Sequence, residues 1–101
     1  MKRDIFQAIA DPTRRQIMNL LVHESMNLNA IAEQFDISRP AISKHIKMLS
    51  GCGLVVVKQQ GRERFCYPEL GRLQEVSKWI KHLEKFWDHK LNALKKHLEN
   101  E

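Results

Sequence analysis

The last third of the chain carries apolar side chains at Leu73, Val76, Ile80, Leu83, Trp87, Leu91, Leu94 and Leu98, in steps of three and four throughout. That spacing predicts one long helix from about Leu70 to near residue 99, with a seam close to a heptad down one face. Trp79 and Phe86 lie beside the seam and widen it. About 29 residues at ~1.5 Å each make a helix of ~43 Å. A compact domain of 100 residues has a radius of gyration of only ~13 Å. The far half of the helix therefore outruns its own domain and needs another apolar surface. A second copy of the chain is the simplest candidate.

The rest of the 101 residues holds shorter elements. Ile5, Phe6, Ile9 and Ala10 recur at helical spacing, so a first helix is expected over 2–10. Asp11 then caps a second helix, with Pro12 at its first position and Ile17, Leu20 and Leu21 on its inner face, over 12–23. Met26-Asn27-Leu28 is a short break or a minimal strand. Asn29 is the expected cap of a third helix, with Ile31, Ala32 and Phe35 as its apolar face and its end at Phe35. Asp36-Ile37 turns the chain, and Ser38 caps a fourth helix that tolerates Pro40 in its first turn. Ile42, Ile46 and Leu49 face inward, and Gly51 and Gly53 stop the helix. Leu54 to Val57 reads as a strand, Gln59-Gln60-Gly61 as a turn, and Glu63 to Tyr67 as its alternating partner. Phe65 and Tyr67 share one face of that partner, and Arg64 and Cys66 the other. This pairing sets Cys66 beside Val55.

The expected fold is mainly α with some β. It is a winged helix-turn-helix with a two-stranded hairpin wing and a long C-terminal dimerisation helix. One domain covers 1–101, with the helix-turn-helix at about 29–50, the wing at about 54–67 and the last helix at about 70–99. In such a plan the second helix of the pair enters the major groove of DNA. Its core-facing residues here leave Arg39, Ser43, Lys44, His45 and Lys47 on the other sides, and Ser38 at the cap. Arg and Lys suit phosphates and the guanine edge, and Ser can contact base or backbone. Lys58, Arg62 and Arg64 cluster at the hairpin tip, within reach of phosphates or the adjacent minor groove. Arg39, Ser43 and Lys44 are the candidates for base edges; Arg62 and Arg64 look like backbone contacts. Lys and Arg outnumber Asp and Glu by 17 to 12, a net charge of +5. That excess favours a polyanionic partner, although a solvated helix face and a protected sheet edge would also carry such residues.

The stretch from Phe6 to Leu21, FQAIADPTRRQIMNLL, resembles the opening of the arsenic-repressor (ArsR) family of bacterial winged-helix regulators. So do Ile31 to Leu49, IAEQFDISRPAISKHIKML, and the later Gly53-Leu54-Val55, Gly61-Arg62 and Tyr67. The match runs in order from residue 5 to about 70. It implies a homodimer built from the first and last helices, here Ile5, Phe6 and Ile9 with Ile80, Leu83, Trp87, Leu91, Leu94 and Leu98. It also implies recognition helices in successive major grooves of a two-fold symmetric double-stranded operator, and repression by occluding a promoter. Metal-sensing members carry a Cys-x-Cys arrangement before the recognition helix, where this chain reads Met26-Asn27-Leu28-Asn29-Ala30. His82, His89 and His97 lack the paired carboxylate pattern of the other sensing site, and read as a solvated face.

No metal and no cofactor is expected, and a small-molecule effector is left open. Cys52 and Cys66 read as two small apolar residues, with a thiol sensor as the alternative. No Gly-rich phosphate loop, nucleophile elbow or paired carboxylates suggest an enzyme. No apolar run approaches a membrane span, and the start of the chain lacks a secretory signal, so a cytoplasmic protein is expected. The rival readings are a winged-helix adaptor that binds protein through the long helix, and a metal- or thiol-responsive sensor of the family it resembles.

Overall fold

A computed structural model describes residues 4–100. The elements in order are α1 (Ile5–Ile9), α2 (Pro12–His23), β1 (Met26–Asn27), α3 (Leu28–Glu33), α4 (Arg39–Gly51), β2 (Val55–Gln60), β3 (Glu63–Pro68) and α5 (Leu73–Glu99). Short polar side chains start the first four helices. The Asp4 carboxylate accepts from the Phe6 N–H, and that of Asp11 from the Arg14 N–H at 3.0 Å. Ser38 Oγ accepts from the Ala41 N–H at 3.3 Å, with Pro40 in the first turn as expected. One start differs from the sequence reading. The cap of α3 is Asn27 rather than Asn29: its backbone is extended while its Oδ1 takes the Ala30 N–H at 2.7 Å, so Leu28 already belongs to the helix. Residues 2 and 3 of the expected first helix lie outside the described residues.

The third helix ends at Glu33 rather than Phe35. Its last turn tightens, with the Gln34 N–H on the Ile31 carbonyl and the Phe35 N–H on that of Ala32, at 3.0 and 3.2 Å. Gly53 closes α4 at φ +76. There the Leu54 N–H reaches back to the Leu49 carbonyl and the Gly53 N–H to that of Ser50, both at 3.0 Å.

The two strands of the wing are joined by the minimal strand at Met26–Asn27, giving a three-stranded sheet in the order β1-β3-β2. Met26 pairs with Cys66 and Asn27 with Phe65, so the break before α3 is a real strand on the far side of the wing. The hairpin loop is Gly61-Arg62, with Gln60 opposite Glu63. Gly61 takes φ +63, and no residue other than glycine has a positive φ among the described residues, the pattern of a II′ loop. Centring the loop one residue later than expected moves each partner by two. Cys66 therefore faces Val57, not Val55.

The core joins every layer. Ile17 and Leu21 of α2, Ile31 of α3, Ile42, Ile46 and Leu49 of α4, Leu54 before β2, Val55 of β2 and Cys66 of β3 are all buried together. Ile5 is 1% exposed within the same cluster. It belongs to the protomer's own core and is not available to a partner, which corrects its expected place in a dimer surface. Both cysteines are buried and free. Burial pushes the Cys66 thiol above its ordinary range.

The last helix leaves this core behind. Leu73 and Val76 pack against it, yet no residue of α5 is buried. Its 27 residues run about 40 Å, and the molecule measures 70 × 28 × 25 Å. The radius of gyration of 18.9 Å exceeds the ~13 Å of a compact chain of this length. Among the described residues no helix is long and apolar enough to cross a membrane.

Two outcomes follow from these local structures. Gly53→Ala forces a β-carbon into the left-handed region and should cost about 1–2 kcal/mol in urea unfolding, with Gly53→Asn costing less; equal stability of all three chains would contradict the cap. Cys66 should react with a thiol reagent in the folded chain only as fast as the wing opens. Labelling at the free-thiol rate would contradict its burial.

Candidate nucleic-acid interface

The helix-turn-helix and the wing meet along a concave surface. Arg39, Pro40 and Ser43 of α4 line one wall and Arg64 of β3 the other, with Leu28 at the floor. Further along α4 the same groove continues between Ser43, Lys47 and Ser50 on one side and Val57 and Arg64 on the other. Arg62 and Gln59 close the end near the loop, beside Asn27 and Asn29. Arg39, Ser43, Lys47, Arg62 and Arg64, named from the sequence, are thus brought to one cleft. Strand alternation explains Arg64. It follows the register of Gln59, Val57 and Cys66, whose side of the sheet faces α4. Its place is the wall of the groove rather than the wing tip.

Four other candidates stand apart from this cleft, and of these Ser38 caps α4 without lining it. Lys44 is exposed on α4 but does not line it. Lys58 lies in the opposite register, with Phe65 and Tyr67. Its Nζ sits 5.4 Å from the centre of the Tyr67 ring, and the Phe65 and Tyr67 rings are 6.5 Å apart. Gln60 also bonds the Tyr67 hydroxyl on that face. His45 turns inward, toward the joint between α1 and α2. Its Nδ1 is 3.3 Å from Arg14 Nη1 and 3.9 Å from the Asp11 carboxylate. Arg14 can only donate, so in that bond the imidazole accepts.

Arg14 is the residue that sequence reasoning passed over. Its Nε donates to the Ala8 carbonyl at 2.6 Å and its Nη2 to that of Gln7 at 3.0 Å. One guanidinium therefore satisfies two carbonyls at the end of α1 and touches the recognition helix through His45. Arg15 supports the same end by donating to the Ile9 carbonyl at 2.7 Å. The Arg14 N–H, with the charge of the Arg14 guanidinium adding to it, holds the Asp11 carboxyl below its ordinary range. A Pro12 flanked by a capping Asp11 and followed by two arginines was the signal. By itself that pattern announces only a helix start.

A second surface lies along α5. Phe6 stacks edge-on against Trp79 at 5.4 Å, tying α1 to the start of the long helix. Beyond that contact Ile80, Trp87, Leu91, Leu94 and Leu98 are exposed, Trp87 by 59% and Leu98 by 61%. Phe86 packs on Trp87 at 6.3 Å, and Lys90 lies over the Phe86 ring. Among the described residues no three of His, Cys, Asp and Glu are placed to hold a metal ion.

Comparison with known proteins agrees with this architecture. Residues 11–57 match the bacterial regulatory protein, arsR family. The transcriptional repressor SdpR of Bacillus subtilis (strain 168) is 38% identical over 79 residues, 76% of this chain and 86% of that protein. An ArsR-like transcriptional regulator from Rhodococcus sp. RHA1 superposes with a TM-score of 0.79 at 30% identity, over 96% of this chain and 89% of its own. The homodimeric winged helix-turn-helix DNA-binding domain Mb0332 from Mycobacterium bovis shares the fold, with a TM-score of 0.63 at 20% identity over 78% of this chain and 73% of its own. With the helix-turn-helix, the wing and these relatives in agreement, the chain belongs to the arsR family of bacterial regulatory proteins, DNA-binding transcriptional regulators rather than enzymes.

Proposed function

We propose that this chain acts in the cytoplasm as a homodimeric repressor, a single winged-helix unit per protomer, that covers a promoter by binding a two-fold symmetric operator. The observation that carries the reading is the separation of two surfaces. A cleft lined by arginine, lysine and serine flanks α4, and an unpartnered apolar seam runs along α5. The first suits a sugar–phosphate backbone and the edges of bases; the second suits another copy of itself.

In this reading the N-terminal half of α4 enters the major groove. Arg39, Ser43 and Lys44 reach base edges, with Ser38 and Lys47 on flanking phosphates. Arg62 and Arg64 hold the backbone from the wing, and Lys58 contributes charge from its outer face. His45 acts indirectly, by packing α4 against Arg14. Phe6, Ile9, Ile80, Leu83, Trp87, Leu91, Leu94 and Leu98 form the dimer surface. The repressor SdpR, similar over most of both chains, supports repression as the outcome, and the homodimeric Mycobacterium bovis domain supports the assembly.

Selection of bound duplexes from a random pool should return a motif with two-fold symmetry; a motif without it would overturn the dimeric operator. Arg39→Ala and Lys44→Ala should each lose about 1–3 kcal/mol of discrimination at one position of each half-site. Arg62→Ala should instead weaken specific and scrambled duplexes alike, and lower the salt slope by about two units per dimer, one for each lost phosphate. Base preference that followed Arg62 rather than Lys44 would reverse the assignment. For the seam, sedimentation of Leu91→Glu should give a monomer at concentrations where the parent chain is a dimer. A parent chain that stays monomeric at micromolar concentration would overturn the assembly.

A further inference from the structure

The C-terminal end of the recognition helix is fastened at a single residue to both helices that carry the exposed apolar surface. Cys52 follows α4 directly and is fully buried. Its Sγ lies 3.7 Å from the carbonyl oxygen of Asp4, the residue that caps α1. Its own carbonyl accepts from Arg72 Nη1 at 2.9 Å, and Arg72 is the residue from which α5 springs. The same guanidinium is held from behind, where its Nε donates to Glu75 Oε1 at 3.2 Å within the first turn of α5. The Arg72 stem crosses Gly53 so closely that a β-carbon there would sit 3.5 Å from its Cγ.

Arg72 cannot act by touching DNA in the proposed docking. The groove-facing end of α4 begins at Arg39, and 13 residues of helix, about 20 Å, separate that end from Gly51. What Arg72 can fix is the direction in which α4 leaves the body that dimerises. That direction matters because B-DNA places its half-sites on a strict screw. Moving one half-site by a base pair shifts it about 3.4 Å along the axis and about 35° around it. About ten degrees of slack at the root of a helix of about 20 Å would move its tip by about 3.5 Å, a comparable distance.

We propose that Arg72, by bonding the Cys52 carbonyl at the end of α4 from the first turn of α5, is a positioning residue that sets the half-site spacing the dimer accepts. The chemistry supports this specific part. A planar guanidinium with one edge on a carbonyl and its Nε on a carboxylate resists rotation, where a single ammonium would not. Arg14 holds the middle of the same helix through His45, so Arg72 governs the tilt about that point. The inference rests on the dimer and the symmetric operator proposed above.

The test uses the full chain and a set of duplexes in which the selected half-sites are moved one and two base pairs closer or farther apart. The parent chain should prefer one spacing, by about tenfold or more over its neighbours, the scale of one lost base contact per half-site. Arg72→Met keeps the stem and removes the guanidinium. It should sediment as the parent dimer does and bind the best spacing somewhat more weakly, while the preference over neighbouring spacings falls to about threefold or less. Arg72→Lys should lie between the two. Weaker binding at every spacing by the same factor would make Arg72 structural only and overturn the proposal. Should Arg72→Met not fold at 25 °C, Arg72→Lys decides alone: an unchanged spacing preference overturns the proposal and a reduced one supports it. A parent chain indifferent to spacing would overturn the symmetric operator itself, and this inference with it.

Discussion

Burial of one face of α4 organises everything else in the molecule. Ile42, Ile46 and Leu49 are 0, 4 and 0% exposed, packed against α2, α3 and the sheet. Each such side chain contributes about 1.5–3 kcal/mol of transfer free energy, and together they settle which way the helix is turned about its axis. A rotation that exposed them would also bury Lys44 and Lys47 without partners, which is far more costly. The outward aim of the cationic face is therefore a consequence of the packing. No interaction among the basic residues themselves is required for it.

The wing is tied into the same core. Cys66 supplies the inward side chain of β3, pairs with Met26 on one side and faces Val57 on the other. Asn27 ends β1 and caps α3 in one stroke, so the sheet and the helix-turn-helix share a residue. A wing joined to the body only through β2 could swing. A wing clamped on both flanks of β3 presents Arg64 at a fixed distance from Ser43.

Much of this was legible in the residues. Apolar spacing of three and four, capping Asp11 and Ser38, and the glycines after α4 are local signals, and they placed α2, α4, α5 and the hairpin. What the sequence left obscure depended on pairing at a distance. Met26 and Asn27 read equally as a break or as a minimal strand, and only the free edge of β3 decides for the strand. The loop was displaced by one residue because Gln59-Gln60-Gly61 looks turn-like in composition, whereas the backbone requires glycine at the first loop position. Ile5 has the same chemistry as Ile80, and only the fold separates a core residue from a surface one. Among the site residues, composition picked out the cations but not their aim. His45 and Lys58 face away from the cleft, and Arg14 spends its donors on backbone carbonyls that no sequence pattern displays.

The exposed seam on α5 has a consequence for how such a chain would respond inside a cell. If binding DNA requires two copies joined along that helix, the binding species forms in proportion to the square of the protomer concentration while protomers predominate. Halving the amount of protein would then cut the available dimer fourfold. The threshold between an occupied and an open promoter would become sharper than a single-copy binder allows, with no ligand needed to sharpen it. The length and apolarity of α5 set where that threshold falls, so substitutions far from the cleft could retune the dose at which a gene is released.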